Sequence, residues 1–451
     1  MKYYEDLLKA GEGQDLTDFV KTAITEYKKS EVYREATIAY DYFRKRNVTI
    51  LRYQKMLYTM TGKAVPDTYS ANYKLINAFF PIFIKQENSF LLGNGITFND
   101  AGTKKKLGGP RFDNDMYSAG EYALWGGVSY VFYNKDHLDI FKDTEFAPLY
   151  GEEDGALHAG IRWWQIDTNK PLRATLYELD GYTDFVWSSK EGEVSGKVLQ
   201  EKRPYVQIIE HTQADGDIIR EGKNYPGFPI VPLWGNKEHQ SELTGLREKI
   251  DAYDLIKSGA CNTLDDASLI YWTIQNAGGM DDIDLAQFLE RLRTLHAATV
   301  DDDGAKAESH TIDVPYQAAE SILAGLKDDL YRDAMALDTE KIQAGNITAT
   351  AIDTAYENLE LKCDGYEYCV TECIKELLAL AGIDDDPTYH RRKTTNQAEV
   401  TQMVLSAAQY LDDETILKHL PFLNIDEIKD IIIRKTKEES ARFMTVEDEN
   451  E

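Results

Sequence analysis

The feature that most constrains this chain is a pair of long helical stretches bracketing a short excursion of strand character. Residues 241–266, SELTGLREKIDAYDLIKSGACNTLDD, contain no proline and place apolar side chains at Leu243, Leu246, Ile250, Tyr253, Leu255 and Ile256. That spacing keeps one face of a helix apolar. Ser241 and Thr244 form a Ser-x-x-Thr opening with Glu242 in the first turn, which predicts a capped start at Ser241. At 1.5 Å per residue such a helix would reach roughly 40 Å. Residues 316–337 form the second stretch. Between the two lie LIYWTIQ, which reads as a strand, Gly278 and Gly279, and a short helix over 285–295. An acidic turn at Asp301, Asp302, Asp303 and Gly304 and an extended HTIDVP ending at Pro315 complete the excursion. Helices joined in this way form a hairpin with a decorated tip. Side by side around an axis, such hairpins would build the wall of a tube.

The remainder reads as mixed structure. Residues 1–60 are expected to be helical, with a proline-free run over 27–58 rich in Lys, Arg, Tyr and Ile. After a loop holding Gly62 and Pro66, a helix is predicted over 72–90 from Leu75, Ile76, Phe79, Phe80, Phe83 and Ile84, stopped by Gly93. GEYALWGGVSYVFY (120–133) passes from helix into an aromatic strand. Residues 147–233 alternate in the manner of short strands (IRWWQI, RATLYEL, DFVWSS, YVQIIEH) separated by Gly, Asp and Asn turns, which predicts a small antiparallel sheet. FPIVPLWGN must run extended, because each proline restricts the residue before it. A polar loop begins at Asp338, and a third long helix is predicted over 350–380 with Gly365 inside it. The extended TYHRRKT, helices starting near Asn396, Asp413 and Asp426, and a charged, disordered end follow. The expected class is α+β, mainly helical. No internal repeat is visible.

Composition narrows the function. A chain of 451 residues exceeds what one core ordinarily holds, so several subdomains are expected. No apolar run approaches the ~20 residues of a membrane span, and the opening MKYYEDLLKAGEGQ lacks the apolar core of a secretory signal. The expectation is a soluble protein that stays where it is made. A net charge of −28 argues against a conventional DNA binder, which needs Lys and Arg to displace counterions. The same charge suits a surface that surrounds DNA without gripping it, because an acidic wall repels phosphates. Cys261, Cys363, Cys369 and Cys373 have no zinc-finger spacing. They read as free, partly buried thiols of a reducing cytosol, with a metal or redox pair at Cys369 and Cys373 as the alternative.

Enzyme classes leave little trace. The sequence has no P-loop, GxSxG elbow, HExxH or Rossmann glycine pattern, and its histidines are scattered. Glu152 and Glu153 together with Trp163 and Trp164 raise a glycan-acting hydrolase as an alternative. In so acidic a chain, carboxylate pairs arise by chance, and adjacent tryptophans in a strand ordinarily serve sheet packing. A structural ring protein without a DNA path is the other alternative.

The order of elements resembles the phage portal family of the Gram-positive siphovirus (SPP1-like) type, over nearly the whole chain. NYKLINAFFPIFIKQENSFLLGNGITF is similar to the family's helix ending in a turn of Ser, an apolar residue, Leu, Leu and Gly, and GEYALWGGVSYVFY to its small-Gly-aromatic segment. FPIVPLWGNKEHQSELTGLREKIDAYDLIKSGACNTLDD resembles its proline-flanked strand and long helix centred on Ile-Asp-Ala-Tyr. LDDETILKHLPFLNIDEIKDIIIRK resembles a C-terminal element in which Leu-Pro-Phe precedes an acidic helix. No single motif is highly specific; their ordered co-occurrence carries the resemblance. A short clip segment is one departure.

The resemblance implies a ring, usually a dodecamer, with no catalytic residue, cofactor or metal. Residues 1–240 would form the wing, 241–267 and 316–337 the two stem helices, and 268–315 the clip. Residues 338–349 would form the tunnel loop, 350–395 a long helix and the return to the wing, and 396–451 crown helices and an acidic tail. Tunnel-loop candidates for touching DNA are Asp338, Thr339, Glu340, Lys341, Ile342, Gln343, Ala344, Gly345 and Asn346, the last two tolerant of unusual backbone angles; an ordinary interhelical connection is the alternative. Lys249, Lys257 and Lys327 are candidates to face the lumen, against the alternative of salt bridges between subunits. Asp281, Asp282, Asp301, Asp302 and Asp303 are clip candidates for partner docking. Asp301, Asp302 and Asp303 lack the alternation of a calcium loop and read as a solvated acidic turn. The implied partners are double-stranded DNA, the terminase large subunit, a head-completion adaptor, and scaffolding and major capsid proteins. The implied location is the capsid portal vertex, with the host cytoplasm during assembly.

Overall fold

A computed structural model describes residues 1–58, 62–68, 70–100, 102–190, 193–212, 218–267, 271–275, 306–310, 316–340, 349–391, 397–412, 415–417, 420, 428, 431–432 and 434–435. Helices α1 (Tyr4–Lys9), α2 (Gln14–Tyr27), α3 (Glu31–Phe43) and α4 (Val48–Arg52) precede the strand pair β1 (Met56–Tyr58) and β2 (Ala64–Pro66). Next come α5 (Phe79–Leu92), β3 (Ile96–Phe98), α6 (Thr103–Leu107) and α7 (Phe112–Gly126). A run of strands follows: β4 (Val128–Asn134), β5 (His137–Lys142), β6 (Phe146–Tyr150), β7 (Leu157–Trp164), β8 (Leu172–Glu178) and β9 (Gly181–Lys190). It continues through β10 (Glu193–Arg203), β11 (Val206–Thr212), β12 (Ile218–Lys223) and β13 (Ile230–Trp234). Helix α8 (Arg247–Ala267), β14 (Tyr271–Gln275), β15 (Lys306–His310) and α9 (Tyr316–Asp333) form the central excursion. Helix α10 (Ala349–Ala381), β16 (Pro387–Tyr389) and α11 (Gln397–Ala407) come last.

The chain divides into two compact units. The first comprises Met1–Thr37, Phe83–Glu242 and Met335–Glu451, the second Ile38–Ile82 and Leu243–Ala334.

In the first unit, sequential strands pair antiparallel in the order β10-β9-β8-β7-β6. Val20, Ala23, Ile24 and Tyr27 fall on one face of α2 by their spacing, and all are buried against Leu149, Ile161, Trp163, Leu176, Phe185 and Trp187. Each large apolar side chain buried there contributes about 1.5–3 kcal/mol. A second sheet has the order β13-β4-β5, with α7 and α10 packed on it. Helix α7 runs directly into β4 through Gly127, whose φ of 92° is open to glycine at little cost. Helix α10 is held by Tyr366, whose hydroxyl donates to Asn88 Oδ1 at 2.9 Å, while Asn88 Nδ2 donates to the Tyr117 carbonyl at 2.8 Å.

In the second unit, α8 packs against α9 and α4. The β14–β15 pair is antiparallel, with Tyr271 opposite His310 and Gln275 opposite Lys306.

Several boundaries differ from the sequence expectation. The 72–90 helix begins only at Phe79, because residues before it find other partners along α8. The backbone N–H groups of Tyr73, Leu75 and Asn77 donate to Asn262 Oδ1 (2.7 Å), Ser258 Oγ (2.9 Å) and Asp254 Oδ1 (3.0 Å). Two extended residues advance about 6.6 Å and four helical residues about 6 Å, so alternate N–H groups meet successive turns of α8. Helix α8 starts at Arg247 rather than Ser241. Ser241 Oγ donates instead to the Trp125 carbonyl at 2.7 Å, and Gly245 adopts a φ of 80°. Helix α9 ends at Asp333, short of Leu337. The first 60 residues are broken into four helices and a strand, with Lys45 in the left-handed region at φ 58°. Strand β15 occupies 306–310, so it overlaps the predicted HTIDVP only at His310. The predicted helix over 285–295 lies outside the described residues, as do much of the helices expected from Asp413 and Asp426.

Candidate functional site

The two-helix hairpin predicted from the sequence is present in the second unit. Lys249, near the start of α8, pairs with Asp333 at the end of α9. The far end of α8 leads toward the antiparallel β14–β15 pair, so the two helices run in opposite directions. Phe79 fills the space between them, with ring centroids 4.9 Å from Tyr253 and 6.3 Å from Tyr331. Carboxylates outnumber cations five to three on α8 and four to two on α9.

Two of these nine carboxylates, Asp251 and Asp254, are directed inward. Asp254 is fully buried and accepts from Asn77 Nδ2 at 2.7 Å and from the Asn47 amide. Burial pushes its carboxyl up, and the amides of Asn77 and Asn47 oppose that shift. Asp251 accepts from the hydroxyls of Tyr42 (2.5 Å) and Thr49 (2.6 Å). The two carboxylates thereby fix the α3–α4 corner against α8.

Each candidate stem lysine has a partner within its own chain. Lys249 pairs with Asp333; Lys257 donates to Asn77 Oδ1 at 3.0 Å and lies 5.5 Å from the Tyr253 ring centre. Lys327 lies 5.8 Å from the Tyr331 ring centre. Of the loop candidates, Asp338, Thr339 and Glu340 are described, and the Glu340 N–H donates to Asp338 Oδ1 at 3.1 Å. Lys341, Ile342, Gln343, Ala344, Gly345 and Asn346 lie outside the described residues, as do Asp281, Asp282, Asp301, Asp302 and Asp303.

A buried charge triad in the first unit was not visible in the sequence. Lys362 Nζ, on α10, lies 2.7 Å from both Glu87 Oε2 and Glu242 Oε2. Burial pushes the Glu87 carboxyl up to about 7, with Lys362 pulling it down and Glu242 adding to the rise. These residues are far apart in sequence, so no local motif marks them. By contrast, Asp254, Ser258 and Asn262 form a polar stripe at four-residue spacing that could have flagged a docked chain.

The residues behind the alternative readings have other uses. Trp163 is buried edge-on against Tyr27, at 5.9 Å between ring centres, in the core beneath α2. Trp164 points to the opposite side of β7, beside Arg162. Glu152 and Glu153 stand exposed in the β6–β7 turn. Cys363, Cys369 and Cys373 are buried free thiols whose ionisation burial disfavours. Among the described residues, no grouping of His, Cys, Asp and Glu could hold a metal, and no helix is long and apolar enough to cross a membrane.

Comparison with known proteins adds an independent line. The family described as "Phage portal protein, SPP1 Gp6-like" matches residues 24–442. A portal protein of Clostridium phage phiCD119 is 25% identical over 228 residues, 48% of this chain and 51% of its own length, so this match spans about half of that relative. The portal protein of Bacillus phage SPP1 is 22% identical over 416 residues, 83% of this chain and 78% of its own. A solved chain from the neck of a native gene transfer agent particle, computed with C12 symmetry, aligns at 11% identity with a TM-score of 0.43. It covers 77% of this chain and 90% of that one.

Proposed function

Because the chain belongs to the SPP1 Gp6-like family of phage portal proteins, we propose that copies of it assemble into a dodecameric ring at one vertex of a phage capsid. Double-stranded DNA passes through the ring during packaging and leaves through it on ejection. The protein carries no catalytic step of its own; its work is to form the passage and to present docking surfaces. Residues 1–240 serve as the wing, α8 and α9 as the stem, 268–315 as the clip, 338–349 as the tunnel loop and 396–451 as the crown. The clip receives the terminase large subunit during packaging and a head-completion adaptor afterwards. Scaffolding and major capsid proteins surround the wing.

The observation that carries this reading is the antiparallel α8–α9 hairpin. It has a strand pair beyond its helices and an excess of carboxylates along them. Hairpins of this kind, repeated around an axis, enclose a bore whose wall repels phosphates and so holds DNA only weakly. Electron microscopy of the purified protein tests it. End-on views should show a closed ring with a central hole wide enough for a duplex. Particles with no axial passage under all assembly conditions, scaffolding protein included, would overturn it.

A further inference from the structure

Within a chain of net charge −28, residues 38–82 hold seven Lys and Arg against two carboxylates, Asp41 and Asp67. The cations gather at the α3–α4 corner. Arg44, Lys45 and Arg46 form the turn after α3, and Arg52 ends α4; all four are exposed. Lys74 joins them, its Nζ donating to the Leu51 carbonyl at 2.6 Å. Among the described residues, no carboxylate pairs with Arg44, Lys45, Arg46 or Arg52. Two tyrosines beside these cations, Tyr53 and Tyr73, are about half exposed, at 47% and 53%.

This corner is built rather than loose. The Arg46 N–H donates to the Asp41 carbonyl at 2.8 Å, closing α3 with Lys45 in the left-handed region, where glycine is the ordinary occupant. Inside the corner, Tyr42 and Thr49 are fixed by Asp251, and Asn47 by Asp254. Asp251 and Asp254 are therefore turned inward, and the corner's cations face solvent without a carboxylate partner among the described residues. Arg44 lies 5.5 Å from the Tyr40 ring centre, which leaves its edge N–H groups open; arginines without a carboxylate partner suit phosphate oxygens, which they bind bidentately. The exposed hydroxyls of Tyr53 and Tyr73 add neutral donors for the same phosphate oxygens.

We propose that the α3–α4 corner is a docking surface for the phosphate backbone of double-stranded nucleic acid, separate from the 338–349 loop and the stem lysines. It goes beyond the portal reading, because that reading needs only a passage that repels DNA, whereas this surface holds it. In a chain of this net charge, affinity for DNA calls for a local concentration of cations.

The test is fluorescence anisotropy of a short labelled duplex against the full-length protein over a salt series. Wild type is compared with Arg44→Gln/Lys45→Gln/Arg46→Gln/Arg52→Gln and with Arg44→Lys/Arg46→Lys/Arg52→Lys. Wild type should bind at low salt. Each phosphate contact removed should lessen the affinity loss between 50 and 200 mM salt by about 3.5-fold, so the glutamine variant should bind weakly with a shallow salt slope. The lysine variant keeps the charge and should keep the slope. Melting temperatures show that the variants are folded, and single substitutions at Arg46 and Arg52 replace the quadruple variant if it is not.

No binding by wild type, or equal binding by the glutamine variant, would overturn the proposal. So would unchanged DNA binding with lost self-association, which would assign the corner to an acidic face of a second copy. Ring images of the same samples keep the two questions apart. Intact rings without corner-dependent binding sink only this inference, and wild type that forms no rings even with scaffolding protein sinks only the portal reading.

Discussion

The Lys362 ammonium lies 2.7 Å from the Glu87 carboxylate in the core of the first unit, where Glu87 is 2% exposed. A second carboxylate, Glu242, stands at the same distance from Lys362, so one cation serves two anions. The excess negative charge is buried, and a proton on Glu87 relieves it.

This arrangement predicts a pH dependence with a definite sign. Glu87 has its carboxyl raised from 4.5 to about 7 by burial, so the folded state holds a proton that the unfolded state has released across that window. Stability should therefore fall as pH rises from about 4.5 to 7 and level off above it. Asp143, buried and likewise raised to about 7, contributes in the same direction. Glu87→Gln isolates one of the two: it should flatten part of the slope and stabilise the protein at pH 8 by on the order of 2 kcal/mol. Lys362→Met should instead destabilise by about 3–5 kcal/mol, because it leaves two buried carboxylates unpaired. Thermal denaturation across pH 5 to 8 checks both.

Gly120 is set by the contact between α7 and α10. A Cβ there would lie 2.0 Å from Tyr366 Oη and 2.4 Å from Asn88 Oδ1, the two partners of a hydrogen bond. Gly120→Ala should cost about 1–3 kcal/mol through overpacking, and adding Tyr366→Phe should recover part of that loss. Denaturant unfolding of the single and double variants decides it. Additive losses would mean that the methyl group disturbs something else.

The extended segment before α5 depends on side chains of α8. Ser258→Ala leaves the Leu75 N–H without its acceptor and should cost about 1–3 kcal/mol. Asp254→Ala should cost more, since Asn77 and Asn47 lose their shared partner. Hydrogen exchange at Leu75 and Asn77 should accelerate in the respective variants. Unchanged protection would show that these N–H groups are satisfied elsewhere.

How much of this was legible in the sequence follows from whether the forces are local. The α8–α9 hairpin was, because long proline-free runs with helical apolar spacing leave few other folds. The start of α8 was misplaced because Ser241 spends its hydroxyl on Trp125, more than a hundred residues away. Residues 72–78 carry a helical pattern, yet the N–H groups of Tyr73, Leu75 and Asn77 pair with Asn262, Ser258 and Asp254, which no local rule reveals. Glu87, Glu242 and Lys362 meet only in the folded chain. The α3–α4 corner left a compositional trace, a Lys, Arg and Tyr-rich run over 27–58, without indicating which cations stay unpaired.

The channel candidates lead to the last prediction. Lys249 pairs with Asp333 and Lys257 with Asn77, both at partly exposed positions, so neutralising them removes contacts worth about 0.2–1 kcal/mol each. Lys249→Gln/Lys257→Gln should therefore fold and assemble normally. If these lysines line the bore, the variant should package DNA with an altered salt dependence, because transient phosphate contacts are lost while the acidic wall remains. Shortening the 338–349 loop should act differently, impairing packaging while rings still form. Both are read in a packaging assay that scores DNA protected from nuclease, with ring assembly followed by microscopy. Unchanged packaging in the lysine variant would assign Lys249 and Lys257 to holding the hairpin together. Unchanged packaging with the shortened loop would make that segment a plain connection between α9 and α10.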